Sequence, residues 1–244
     1  MKKQAVLLSG GVNFQANYKR YKNDLEFAYS VLLEKCGFQE EDITILYANG
    51  ASLNYRNQQI QTKEASKENI IEELEKTRND LGSEDEFVLV VSNHGGADSG
   101  GCINLWGHET FNLRDLSYEL NQIHVRKIIL LGECYAGNIL QYDIKHACVM
   151  TANMRDKVSY ARPYSKDYDE FLYHFFAYIY GGYPDGAMLK QKGENNVKKA
   201  FQYAVDMDIF APNNPQGNLI RKISGKNCIE IPQMRCDIAG DIQL

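Results

Sequence analysis

The hydrophobic pattern of this chain changes period repeatedly along its length, and the changes mark its elements. Short apolar runs without polar alternation occur at Gln4 to Ser9, at ITILYA (43–48), at FVLVV (87–91), at KIILL (127–131) and near His146 to Thr151. Such runs are what strands covered on both faces look like, as in a parallel sheet packed between helices. Between them the period becomes helical. Leu25, Ala28, Tyr29, Leu32 and Leu33 recur at steps of three and four, predicting a helix from about Tyr21 to Cys36 with Gly37 as its stop. Ser66, ahead of Glu68, Asn69, Ile70, Ile71 and Leu74, predicts a second helix over 66–79.

A short helix is expected over about 113–121, an aromatic one within 168–183 and another over 196–207. On the aromatic helix Leu172, Phe175, Phe176 and Ile179 form the inward face; the alternative for so aromatic a segment is a homodimer surface. Residues 49–61 read as a long polar loop and 97–113 as a small hairpin. Pro212, Asn213, Asn214 and Pro215 break the helical pattern. The closing CIEIPQMRC supplies a last edge strand, since Pro232 is excluded from a central one. Strands alternating with helices, with no repeat, low-complexity tract or dividing linker, predict one α/β domain over residues 1–244. Its central sheet is mostly parallel, with helices on both faces and right-handed crossovers.

Composition narrows the function. A chain of 244 residues buries roughly 70–75% of its unfolded surface and needs neither disulfide nor metal to be stable. The net charge of −5 and the absence of any long basic run argue against nucleic acid as a partner. The opening MKKQAVLLSGG has too short an apolar core for a signal peptide and reads as the first strand. No apolar run approaches the ~18 residues of a membrane span. Six cysteines at irregular spacings, with no CxxC pair, suit reduced thiols in a cytoplasmic protein better than a disulfide framework or a zinc site. His108, His124, His146 and His174 lack metal-ligand spacing, and Gly10-Gly11 lacks the rest of a dinucleotide fingerprint, so no cofactor is expected.

Two of the apolar runs stop at a reactive side chain closely followed by glycine: His94 before Gly95 and Gly96, and Cys134 before Gly137. In parallel sheets ligands bind beyond the carboxyl ends of the strands. Neighbouring strands lie about 4.8 Å apart, so the two exit loops can face one cleft. A thiol there serves as a nucleophile if its thiolate is stabilised and accessible. Main-chain N–H groups at the turn can hold an oxyanion, and a histidine can protonate a departing amine. Either residue alone is more often structural; at the ends of consecutive buried strands they form a candidate pair.

The order apolar strand, His-Gly, apolar strand, acidic-Cys-x-x-Gly resembles the caspase–legumain superfamily of cysteine peptidases. Residues 9–29 (SGGVNFQANYKRYKNDLEFAY), residues 151–161 (TANMRDKVSYA) and Pro232-Gln233 are similar to blocks of its legumain-like branch and bacterial relatives, so the likeness covers nearly the whole chain. The resemblance implies a caspase-like three-layer sandwich and a cysteine endopeptidase acting on a protein or peptide. Cys134 would be the nucleophile, His94 the general acid–base, Gly95 and Cys134 N–H the oxyanion donors, and Asn17 the residue orienting the histidine. Arg20, Glu133, Ser159, Tyr160 and Asp169 would form the substrate pocket.

One departure stands out. Two residues before the nucleophile, where legumains carry Glu, metacaspases Asp and caspases Gln, this chain has Gly132, with Glu133 in the usual alanine or serine place; Val158 also replaces a polar residue. An arginine in less acidic company favours Asp or Asn before the scissile bond. The rival readings are a transamidase or peptide ligase on the same site, and an inactive peptide-binding scaffold. Control is expected from a regulatory protein partner or from self-cleavage in the charged 153–167 loop.

Overall fold

A computed structural model describes residues 1–244. The elements run β1 (Lys3–Ser9), α1 (Lys19–Lys35), β2 (Ile43–Tyr47), β3 (Leu53–Tyr55), β4 (Gln58–Ile60), α2 (Lys67–Asp80), β5 (Glu86–Val91) and β6 (Gly95–Gly96). They continue with β7 (Cys102–Asn104), β8 (Thr110–Asn112), α3 (Leu113–Asn121), β9 (Arg126–Leu131), β10 (Ala147–Thr151), α4 (Glu170–Tyr180), α5 (Val197–Met207), α6 (Pro215–Ser224) and β11 (Gln233–Cys236). The main sheet has the order β11-β10-β9-β5-β1-β2. Its pairings are parallel except for β11, which runs antiparallel along β10 at one edge. The α/β sandwich and mostly parallel sheet expected from the pattern are therefore present.

Helices cover both faces of the sheet. Ala5 and Leu7, Val88 and Val90, and Ile128 and Leu130 pack towards α1, α4 and α5. Val6 and Leu8, Leu89 and Val91, and Ile129 and Leu131 pack towards α2 and α3. Alternate residues thus point to opposite layers, as the pleat requires, and both sets are buried. Helix α4 is the most enclosed helix: Glu170 through Ile179 are all buried. Its N-cap is Asp169, whose side chain accepts from the Leu172 N–H at 2.9 Å, and it stops at Gly181 in the left-handed region. Each apolar side chain buried along it contributes about 1.5–3 kcal/mol. His174 on this helix bonds Tyr183 Oη at 2.7 Å and Glu170 at 3.2 Å, a buried structural role. No helix is long and apolar enough to cross a membrane.

Two features differ from the sequence expectation, and a third adds to it. The polar stretch after β2 holds a tight hairpin, β3–β4, turned by Arg56 and Asn57 at φ 48° and 66°; two positive φ values are the mark of a hairpin turn whose twist matches its strands. The hairpin expected over 97–113 is present as β7–β8, and β6 just before it adds a third strand. The supposed break at 212–215 is instead the start of α6. Asn214 caps it by accepting from Gln216 and Gly217 N–H, Pro215 occupies its first turn, and Gly225 ends it. Proline inside the start and glycine past the end are the helix signature that the sequence contained.

Candidate active site

His94 and Cys134 lie just beyond the ends of β5 and β9, which are hydrogen-bonded neighbours with Val91 opposite Leu131. The pleat carries on into both exit loops. Ser92 Oγ donates to Asp24 of α1 at 2.6 Å, and His94 packs its ring edge-on to Tyr18 and Tyr21 at 5.0 and 5.2 Å between centroids. Asn93, between them, points the other way, accepting from the Gly11 N–H at 2.9 Å and donating to Asn104 O. On β9's exit a Cβ at Gly132 would sit 2.7 Å from Leu172 of α4, whereas Glu133 lies beneath Gly95. Cys134 returns to the α1/α4 side, with its sulfur 3.9 Å from Ser159 O and 3.8 Å from Ser159 Oγ. Parity therefore puts His94 and Cys134 on one layer, at one rim of the sheet, and both are half-buried.

The loops press closely together. A Cβ on Gly95 would lie 2.0 Å from Cys134 O, so only glycine allows the two exits to meet. Gly137 does the same for the loop after β10: a Cβ there would stand 2.5 Å from Arg155 N and 2.6 Å from Asn153 O. Between them Tyr135 takes a left-handed conformation (φ 62°) and gives its N–H to Lys157 O at 2.8 Å. The Cys134 N–H has no acceptor in the protein. Asn104 N–H donates to His94 O, which makes that rung hydrogen-bonded and turns the Gly95 N–H outward from the hairpin. The Cys134 N–H and the outward Gly95 N–H are thus left as main-chain donors where the two exits meet.

The imidazole is held by the main chain. His94 Nε2 lies 3.0 Å from Ala16 O; as a donor to that carbonyl it carries the proton, and Nδ1 is left as the basic nitrogen. Asn17 does not orient it. Its Nδ2 donates to Tyr47 Oη at 3.0 Å and its Oδ1 is buried without a partner. Burial lowers the His94 pKa, the Ala16 carbonyl partly offsets this, and the Arg20 charge adds to the lowering. Burial raises the Cys134 thiol, against the pull of Ser159. Both shifts favour the uncharged forms, a neutral imidazole and a neutral thiol.

Arg20 lies between aromatic faces, its guanidinium carbon 4.5 Å from the Tyr18 ring centre and 4.6 Å from that of Tyr21, with Nη2 donating to Tyr21 Oη at 3.0 Å. No carboxylate comes within ion-pair distance of it. Asp169 is buried next to Asp24, and its N–H contacts both Asp24 oxygens at 3.1 and 3.2 Å. Burial pushes both carboxyls up, Asp169 to about 7, with the Asp169 charge also raising Asp24 and Arg20 pulling both down. Tyr160 closes the far side: its N–H donates to buried Glu230 at 2.6 Å and its ring packs on Phe210. Arg20, Ser159, Tyr160 and Asp169 thus cluster around the two reactive groups.

Glu133 does not belong with them. It is fully buried on the opposite layer, neither carboxylate oxygen has a hydrogen-bond partner, and burial raises it to about 8. The pocket face at this point is filled by Leu172 packing on Gly132. A carboxyl whose pKa rises on folding stabilises the fold below its unfolded value and loses that contribution as pH climbs through the folded one. Glu133→Gln is therefore expected to come close to the native protein near pH 5 and to exceed it by about 4–5 kcal/mol near pH 9. Thermal melts of both proteins across that range check this; parallel curves would refute it.

Sequence reasoning missed Ala16, Tyr18, Tyr21, Asp24, Asn93 and Glu230. Two carried a signal. Asp24 interrupts the apolar stripe Tyr21, Leu25, Ala28, and Glu230 sits between two isoleucines; a carboxyl in such a place must be buried with partners. His94 and Cys134 are both partly exposed at the rim of the sheet. A cavity of about 470 Å³ bounded by Ser83, His124, Arg126 and His146 lies at the other end of the sheet, where β9 and β10 begin.

A fold with a cysteine and a histidine at the carboxyl rim of adjacent parallel strands defines a class, and comparison gives it a family. Residues 46–207 match the model of the peptidase C13 family, and the chain belongs to that family. No curated protein matches the sequence. Among solved structures, the protein GSU0716 from Geobacter sulfurreducens is similar over 96% of this chain and 93% of its own, with 14% identity and a TM-score of 0.61. A secreted C11 cysteine protease from Bacteroides thetaiotaomicron, solved with an irreversible peptide inhibitor, aligns over 84% of this chain and 58% of its own, with 10% identity and a TM-score of 0.42.

Proposed function

We propose that this chain is a cysteine endopeptidase that cuts after Asp or Asn, with Cys134 as nucleophile and His94 as general acid–base. The observation that carries the reading is the placement of the two side chains on one layer, at the ends of paired strands, beside an unused Cys134 N–H. The Cys134 sulfur attacks the substrate carbonyl carbon as its proton passes to His94 Nδ1. The oxyanion rests on the N–H groups of Cys134 and Gly95. His94 then gives that proton to the departing amine, the C–N bond breaks, and a thioester remains. Water, deprotonated by His94, attacks the thioester, and the sulfur leaves with the proton.

Substrate choice follows from Arg20. A half-buried guanidinium with tyrosine faces around it and no carboxylate partner has donors to spare for an acidic or amide side chain. Gly132 and Leu172 make the adjoining wall apolar, and raised Asp24 and Asp169 compete only weakly for the charge. A panel of fluorogenic peptides varied at the residue before the cut tests this. Release after Asp or Asn is expected, and Arg20→Ala should lower kcat/KM on those peptides by about 10²-fold, the loss of a charged hydrogen bond or two. Preferred release after Lys or Arg would overturn the specificity.

A further inference from the structure

Cys148 of β10 and Cys236 of β11 face each other across the antiparallel edge of the sheet. The neighbouring rung, Ala147 with Asp237, is hydrogen-bonded, since the Asp237 N–H donates to Ala147 O at 3.1 Å. Rungs alternate along an antiparallel pair, so Cys148 and Cys236 occupy the non-hydrogen-bonded kind, in which Cα atoms are about 4.5 Å apart and side chains closest. That spacing lies within the range of about 4.4–6.8 Å that a disulfide spans without backbone movement. Both side chains also point to the same layer: Cys148 is part of the core under α4 and α5, and Cys236 packs against it. Burial raises the Cys148 thiol and the adjacent Cys236 sulfur raises it further, as two sulfurs in close approach should.

We propose that Cys148 and Cys236 are a reversible dithiol–disulfide site that, when oxidised by a small-molecule disulfide, ties the C-terminal strand to the sheet. Access sets the order of events. Cys148 is sealed, whereas Cys236 is partly exposed. The Cys236 thiolate attacks one sulfur of glutathione disulfide and expels a glutathione thiolate. The Cys148 thiolate then attacks Cys236 in that mixed disulfide and expels the second. Two electrons pass from the protein dithiol to the reagent, the two thiol protons end on two glutathione molecules, and one internal S–S bond forms. The remaining cysteines have no such mate: Cys102 sits by Asn104, Cys134 by Ser159, and neither Cys36 nor Cys228 has another cysteine opposite it on a paired strand.

The link acts where the strand matters. β11 has a neighbour on one side only, and the segment leading into it braces the groove. Its Glu230 accepts from the Tyr160 N–H and its Ile231 N–H donates to Asn153 Oδ1 at 3.1 Å. Oxidation therefore anchors the wall next to Cys134 through a covalent bond two strands away.

The test uses the full chain carrying Cys134→Ala, which removes the groove thiol without touching the pair. Incubation with glutathione disulfide should lower the intact mass by about 2 Da, yield a cross-linked Cys148–Cys236 peptide, and slow amide exchange over 230–236 by at least about tenfold, all reversed by reductant. Adding Cys236→Ser should abolish the cross-link. A stable mixed disulfide on Cys236 with Cys148 still free, or both thiols open to alkylation after unfolding, overturns the proposal. Neither outcome depends on whether the groove cleaves peptides.

Discussion

Cys134→Ala is expected to lower kcat/KM on a cleavable peptide by about 10⁴-fold or more, with the melting temperature nearly unchanged. The substitution removes the proposed attacking atom but leaves the turn, the free Cys134 N–H and the contact with Gly95 in place. His94→Ala should cost a comparable factor, and the double variant little more than either single one, because the proposed nucleophile and base would act as a unit. The charge states add a further signature. In the proposed mechanism His94 accepts the proton only as a neutral ring, so activity should fall as pH drops through its lowered pKa, placing the acid limb below the ordinary imidazole value of 6.5. A Cys134→Ala variant retaining more than a few per cent of peptide cleavage, or a His94→Ala variant with native kinetics, would dismiss the assignment.

The second large effect comes from a methyl group. Gly95→Ala places its new carbon 2.0 Å from Cys134 O and 2.9 Å from Glu133 Cγ. The first of these is main chain and cannot swing aside, so the β5 and β9 exits must separate. That movement displaces both the Gly95 N–H and the Cys134 turn from the position proposed for the oxyanion. Loss of one such donor costs about 10²–10³-fold in kcat, and overpacking costs about 1–3 kcal/mol, a fall of about 2–10 °C in Tm for a domain of this size. The expected result is therefore a protein that melts somewhat lower but turns over far more slowly. Steady-state kinetics beside a thermal melt separates the two; native kcat in Gly95→Ala would show that this approach has no part in the chemistry.

Most of the scaffold was legible because helices and buried strands write different periods. Ser66, Gly37 and Pro232 marked their boundaries for simple steric and hydrogen-bonding reasons. The misplacement of Glu133 has a physical cause. In a strand covered on both faces, Ile128 and Leu130 look no different from Ile129 and Leu131. Nothing in the run then tells which layer each residue faces, and an acid one position before the cysteine passes for a pocket wall. The resemblance pointed to His94 and Cys134, which the fold sets at the ends of paired strands, and to Arg20, Ser159, Tyr160 and Asp169, which lie near them. It missed α6, where Asn214, Pro215 and Gly225 were present but the clustered prolines read as a break. It also could not show that Cys148 and Cys236 share a rung, since that pairing arises only when the C-terminal strand folds back.

The histidine's tether to Ala16 has a practical outcome for anyone dissecting this groove by mutagenesis. Because the grip comes from a peptide carbonyl, trimming the alanine methyl, or the asparagine beside it, leaves the anchoring oxygen untouched. A scan of residues 13–18 will therefore find no third side chain completing a triad. What can loosen the ring is a change in the path of the loop, by an inserted residue, an ester in place of an amide or loss of the Asn13 side chain that holds the Ala16 N–H, or loss of the Tyr18 ring packed against it.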